Sequence, residues 1–191
     1  MKKIILSSKS PRRKELLAGL DIPFEVQVVS GIDESYPDGM GAEEIPQFIA
    51  KRKSTAYQIA NDEIIITADT VVVLGDKILG KPVDETEARN MLQALSGQTH
   101  RVITGVCLTS TEKQRTFSVV SEVTFKSLSD HEIDYYISHY HPLDKAGAYG
   151  IQEWIGYVGV TSLKGSYFNV MGLPVQRIYE ELKNEFGVTV E

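Results

Sequence analysis

Apolar residues fall in short, separated runs along this chain, and their spacing alternates between the periods of strands and helices. "KKIILSS" reads as a short buried strand that ends at the helix "SPRRKELLAGL", with Ser10 as cap, Pro11 as first helical residue and Gly19 near the stop. "FEVQVV" alternates as a second strand, and "GIDESYPDGMG" has the Gly, Asp and Pro content of a loop. A long helix is expected over about 43–61, its regular part beginning at Pro46. "EIIITADTVVVLGDKILGKP" holds two β-branched runs interrupted by Ala68-Asp69-Thr70, then a hairpin at Gly75-Asp76. "DETEARNMLQALSG" is a helix with Asp84 as cap, Glu87 three residues on and Gly97 as stop. "HRVITGVCLTST" and "TFSVVSEVTFKSLS" read as a hairpin turning near Glu112-Lys113, followed by the capped helix "SDHEIDYYISHY". Residues 147–172 hold six of the 15 glycines and are expected to be loop-rich, with close backbone approaches. "LPVQRIYEELKNEF" closes the chain as a helix with Val175, Ile178 and Leu182 on one stripe. Alternating helices and strands predict an α/β or α+β fold, with no internal repeat and no low-complexity linker.

Composition narrows the classes. At 191 residues, 42% hydrophobic and 24% charged, the chain has the balance of a folded protein. A net charge of −6 excludes a general nucleic-acid binder, because no basic excess exists to neutralise many phosphates. A local cation cluster for a small anion is still allowed. The single cysteine, Cys107, lies in an apolar run and reads as a core thiol in a reducing cytoplasm. The apolar run after the two N-terminal lysines is too short for a signal peptide or a membrane helix.

Charge placement supplies the candidate chemistry. Arg12 and Arg13 occupy the first turn of a helix, where the macrodipole favours anionic side chains. They are either a tolerated, solvated helix start or an anion site in which forked donors join the free backbone N–H groups. "GDKILGKP" has the spacing of a phosphate loop, but Pro82 replaces the Ser or Thr that would hold Mg²⁺ and the intervening residues are strand-like. Lys81, between Gly80 and Pro82, is still placed to reach a phosphate as a point charge. Asp69 breaks an Ile, Val and Thr run; it is either a strand-end bulge or a buried carboxylate that needs a cation. With Asp33 and Glu34 on the preceding loop it makes a carboxylate set suited to Mg²⁺ or Mn²⁺. His139 and His141 lack partners at metal-site spacing and read as surface residues. On the long helix, Ile45, Ile49, Ala56 and Ala60 form one stripe, with Arg52 inside it and Lys53 at its edge. The two cations are either snorkelling stems or part of the Arg12 cluster. Clustered cations, isolated carboxylates and glycine-rich loops together point to metal-assisted chemistry on a phosphorylated small molecule.

Six segments in order, "SSKSPRRKELL", "GIDE", "ADT", "GKP", "AGAYGIQ" and "GSYFNVMGLP", resemble the Maf family of nucleoside triphosphate pyrophosphatases over about residues 3–185. The resemblance implies an elongated α/β fold, a single domain of two lobes around a central cleft, related to the inosine triphosphate pyrophosphatases. It implies metal-dependent cleavage between the α and β phosphates, with Asp69 as the base or the metal-linked acid and Asp33 and Glu34 near the metal. Arg12, Thr70 and Gln152 fall on the specificity positions, and Arg13, Lys53 and Lys81 on the phosphate-binding ones. A branch acting on 7-methylated guanosine triphosphate carries Trp where this chain has Arg12, whereas Thr70 with Gln152 matches the branch acting on dTTP and UTP. Gln both donates and accepts, as a pyrimidine O4/N3 edge requires. The family also implies a homodimer. A purine house-cleaning pyrophosphatase and a nucleotide-binding regulator of septum formation are the rival readings. Two small departures are Asp33, where Glu also occurs, and Met171, where Val is usual.

Overall fold

A computed structural model describes residues 2–190. In chain order the elements are β1 (Lys3–Ser7), α1 (Pro11–Ala18), β2 (Phe24–Val26), α2 (Glu44–Ser54), β3 (Glu63–Leu74) and β4 (Lys77–Leu79). There follow α3 (Glu85–Leu95), β5 (Thr99–Thr109), β6 (Gln114–Phe125) and α4 (Asp130–Tyr140). The chain ends with α5 (Trp154–Gly159), β7 (Val160–Lys164), α6 (Tyr167–Met171) and α7 (Val175–Phe186). The strands pair in the order β2-β1-β3-β5-β6-β7, with β4 on β3. β1 runs parallel to β2 and β3, with Ile4 opposite Phe24 on one side and Ile64 on the other, whereas the β3–β4 and β6–β7 pairs are antiparallel. The fold is mixed α/β. A parallel strand covered on both faces reads as a continuous apolar run. "KIILS" and "EIIIT" fit that rule, with Ile4, Ile5, Leu6, Ile64, Ile65 and Ile66 all essentially inaccessible.

The local signals act where the chain places them. Ser10 accepts from the Arg13 backbone N–H, Asp84 from that of Glu87, and Ser129 forms a full capping box with Glu132. Three expectations are corrected. The ADT segment does not split two strands, because β3 runs unbroken through Asp69. The second helix starts at Glu44, ahead of Pro46, and stops at Ser54 rather than near 61. Its last carbonyls are taken by hydroxyls, Ser54 Oγ donating to Lys51 O at 2.7 Å and Thr55 Oγ1 to Arg52 O at 2.7 Å. Residues 147–172 carry α5, β7 and α6 as well as loops.

The chain divides into two compact units: one takes the chain up to Asp69, Thr104–Val119 and the chain from Gly172, the other Thr70–Ile103 and Val120–Met171. In the first, Ile45, Ile49 and Ala50 of α2 and Ile178 and Leu182 of α7 are buried with β1 and the first half of β3. Glu181, also buried there, is bonded by Arg115 and Arg177. Burial opposes ionisation of its carboxyl, but the two guanidiniums prevail and hold it below the usual range.

The second unit has its own core, in which Val72, Leu92, Val102, Phe125, Tyr136, Tyr149 and Ile155 pack together. Within it His100 is inaccessible, bonded through Nε2 to the Tyr149 hydroxyl, and its pKa is pushed from 6.5 to about 4 by burial. The native state therefore prefers neutral imidazole, while the unfolded chain takes up a proton as pH falls below 6.5. Stability from this group is complete above pH 6.5, declines between 6.5 and about 4, and levels off below; the total is about 3 kcal/mol. Urea midpoints measured across that window are expected to show an acid-side slope that is shallower in His100→Asn. Equal slopes in the two proteins would exclude His100 as the source.

Candidate active site

The first unit brings four of the expected residues to one place. α1 opens on Ser10 and Pro11 with no acidic residue in its first turn. Arg13 folds back from there, its Nε donating to Gly172 O at 2.8 Å and Nη1 to Ala68 O at 3.2 Å. It is half-buried, and desolvation pulls its pKa down against the opposing charge of Asp69, with Arg12 adding like-charge repulsion. A guanidinium so placed is still a cation.

β3 presents Thr67 and Asp69 on one face, two residues apart. The Thr67 hydroxyl donates to Ala50 O of α2 at 2.6 Å, fixing that helix against the strand. One turn beyond Ala50, Lys53 Nζ lies 3.2 Å from Asp69 Oδ1, 3.2 Å from Ala68 O and 2.9 Å from Glu34 Oε1. The Lys53 and Asp69 side chains are only 14% and 16% exposed, so water screens this pair poorly. Burial raises the Asp69 carboxyl above the usual aspartate range; Lys53 and Arg13 pull it back and Glu34 pushes it further up. A carboxylate with elevated proton affinity, held beside cations, is suited to accept a proton from water.

Arg52 does not share this position. Its Nη1 binds Asp33 Oδ2 at 3.0 Å and Ser35 O at 2.7 Å, and its guanidinium lies 4.6 Å from the Phe48 ring centroid. The helical stripe had ranked Arg52 above Lys53 because it counted Ala56 and Ala60, which lie beyond the helix end. The buried arc is Ile45, Pro46, Ile49, Ala50 and Ser54. At about 100° per residue its centre falls on Lys53. Asp33 is thereby turned to Arg52, and its carboxyl is held low by backbone and side-chain hydrogen bonds from Ser35.

Arg12, half-buried in the first turn of α1, stays in the first unit, whereas Thr70, Lys81 and Gln152 belong to the second. Thr70 is half-buried, next along β3. Lys81 is exposed between Gly80 and the buried Pro82, and Gly80 O accepts from Gly147 N at 3.0 Å. The preceding "GDKIL" is the β3–β4 hairpin, so the chain there forms no phosphate cradle. Gln152 lies in the turn before α5, and its Oε1 is buried with no hydrogen-bond partner. Sequence reasoning missed Thr67, although strand alternation puts it on the face of Asp69, and it missed the Tyr136 and Glu153 contacts around Gln152.

Among the described residues no group of three His, Cys, Asp or Glu is arranged to hold a metal by itself. Asp69 and Glu34 nevertheless flank one ammonium, and two hard oxygen donors suffice for a Mg²⁺ or Mn²⁺ whose other ligands are substrate phosphates and water. The donor set fits a substrate-borne cation. No helix is long and apolar enough to cross a membrane, among the described residues.

Fold and site together define an α/β protein that sets a largely enclosed carboxylate of raised proton affinity among cations. The chain belongs to the Maf-like protein family, whose pattern matches residues 3–185. It is 63% identical over 183 residues, 95% of each chain, to the dTTP/UTP pyrophosphatase of Phocaeicola vulgatus. To the dTTP/UTP pyrophosphatase of Porphyromonas gingivalis W83 it is 53% identical, covering 97% of this chain and 94% of that one. Among solved structures, a HAM1 protein from Coxiella burnetii aligns at a TM-score of 0.45 and 14% identity, over 65% of this chain and 73% of that one. A nucleoside-triphosphatase, dITP/XTP pyrophosphatase, from Mycobacterium abscessus aligns at 0.45 and 12% identity over 96% of both.

Proposed function

We propose that this protein is a nucleoside triphosphate pyrophosphatase that converts dTTP and UTP to their monophosphates and pyrophosphate. The carrying observation is Asp69, whose largely enclosed carboxylate lies 3.2 Å from Lys53 Nζ and feels the charge of Arg13. High identity over nearly the whole length to relatives named for that activity supports the substrate class.

In this reading Asp69 takes the proton of a water whose oxygen attacks the α phosphorus. The bond from that phosphorus to the bridging oxygen breaks, and the oxygen leaves with pyrophosphate. Arg12, Arg13, Lys53 and Lys81 offset the negative charge that grows on the leaving group. Asp69 and Glu34 would hold Mg²⁺ or Mn²⁺, which supplies charge neutralisation of the triphosphate. Asp33 orders the 33–35 loop through Arg52 and Ser35. Gln152, with Thr70 and Arg12, selects the base: its Oε1 needs a donor, and the N3–H of thymine or uracil is one. The same reading makes the enzyme a cytoplasmic homodimer.

The deciding experiment incubates the protein with dTTP, UTP and purine triphosphates, including ITP, and detects phosphate with and without added inorganic pyrophosphatase. Signal with dTTP and UTP that requires the auxiliary enzyme is expected. Signal without it would identify stepwise phosphate release, a purine preference would favour house-cleaning of purine nucleotides, and binding without product would favour a regulator.

A further inference from the structure

The turn that carries Gln152 is held by a polar network in the second unit that the reaction itself does not use. Glu153 N–H donates to Gly150 O at 3.0 Å, closing the turn around Gln152. Gly150 N–H donates at 3.0 Å to the Tyr136 hydroxyl, which donates in turn to Glu153 Oε1 at 3.0 Å. Lys145 Nζ lies 3.3 Å from the same carboxylate oxygen and 2.9 Å from Asp144 Oδ1. Burial keeps the Tyr136 phenol protonated, so it can serve as that donor.

Gly150 shows how tightly these groups meet. A methyl there would fall 2.6 Å from Glu153 Oε1, 2.9 Å from Gln152 Nε2 and 3.0 Å from Lys145 Cε. The carboxylate and the amide nitrogen therefore crowd one face of Gly150. With the Lys145 ammonium shared between the Glu153 and Asp144 carboxylates, the near Glu153 oxygen attracts the NH₂ end of the carboxamide and repels its carbonyl end. The two ends of an amide are nearly isosteric, so the surrounding hydrogen bonds and charges decide which way it points. Here the carbonyl end is the one left buried and without a partner.

We propose that Glu153, held by Tyr136 and Lys145, is a positioning residue that fixes the flip of the Gln152 amide and so makes the site accept from a base N–H. This rests on reading Gln152 as the base-selecting residue. Uracil and thymine offer N3–H; cytosine offers an N3 acceptor, which meets the Gln152 oxygen as a like partner. Loosening the network lets the amide turn over and present NH₂ instead.

The test is the ratio of kcat/KM for UTP to that for CTP, two ribonucleotides that differ at the 4-keto or 4-amino edge. Glu153→Gln keeps the shape but removes the charge, and Tyr136→Phe keeps the ring but releases the turn. Each is expected to lower the ratio about tenfold, because a small misplacement of a recognition group is costly. Ile137→Val, which thins the same core but removes no hydrogen-bonding group, serves as a stability control and should leave the ratio unchanged. An unchanged ratio in both network variants, with a collapsed ratio in Gln152→Leu, overturns the proposal alone. An unchanged ratio in Gln152→Leu overturns the base-selecting role itself, and the proposal with it.

Discussion

Asp69→Asn is expected to lower kcat for dTTP about 10³-fold while leaving the protein at least as stable as before. The two effects separate for a physical reason. The carboxamide has the size of the carboxylate but cannot take a proton from water. Lys53 loses one anionic contact yet keeps Glu34 at 2.9 Å and Ala68 O at 3.2 Å, so the cation stays where it is. The raised pKa of Asp69 means that the folded state disfavours its charge, burial outweighing the nearby cations. Removing that charge relieves a cost of folding. On the proposed reading, a charge costly to fold is kept in β3 for its part in the reaction. Steady-state turnover in the pyrophosphatase-coupled assay and the thermal midpoint check both halves. Undiminished dTTP hydrolysis would remove Asp69 from its role, and a large fall in the midpoint would show that Lys53 depends on it structurally.

How much of this could be read beforehand depends on how local each signal is. Helix caps at Ser10, Asp84 and Ser129 involve partners three residues away, and all three act as read. The end of α2 was misjudged because Ala56 and Ala60 continue the apolar spacing, while competition from Ser54 and Thr55 for the last carbonyls is invisible to a periodicity count. Glycines carry two signals at once. In residues 147–172 they suggest both loops and close backbone approaches, and the second holds: Gly156 sits inside α5, where a methyl would collide with Ile151 O, and Gly159 packs against Leu128 and Phe125. They mark close packing.

The site shows the same division. Asp69 was legible because a lone carboxylate in a β-branched run must be either misplaced or functional. Arg13 was legible as a misfit, since its charge opposes the helix dipole. Its contacts were not, because they lie 159 and 55 residues away, at Gly172 O and Ala68 O. Two of its donors tie backbone together, so Arg13 builds the surroundings of Asp69 as well as adding charge to them. The family resemblance already favoured Lys53, but the helical stripe favoured Arg52, and the reason for that conflict is the true helix length.

Gly105→Ala is expected to destabilise the protein by about 3 kcal/mol or more, although it adds a single methyl to a strand. The cause is space alone. In β5, a Cβ on Gly105 would meet the backbone of Pro46 and Gln47, Pro46 O at 2.5 Å and two further atoms closer still, inside the 3.0 Å that real Cβ atoms keep. Backbone cannot yield as a flexible side chain would, so α2 or β5 must move as a body. α2 is also tied to β3 by Thr67 Oγ1 to Ala50 O and carries Lys53 to Asp69. A shift large enough to seat the methyl strains that bond and displaces the ammonium, so turnover of the folded fraction falls along with stability. Gly80→Ala is the matched control for stability: nothing lies within 4 Å of its Cβ position, so the substitution is expected to be neutral or slightly stabilising. Urea unfolding at constant m separates the two variants. Equal midpoints for Gly105→Ala and the parent would mean that α2 is not seated on β5 at this glycine.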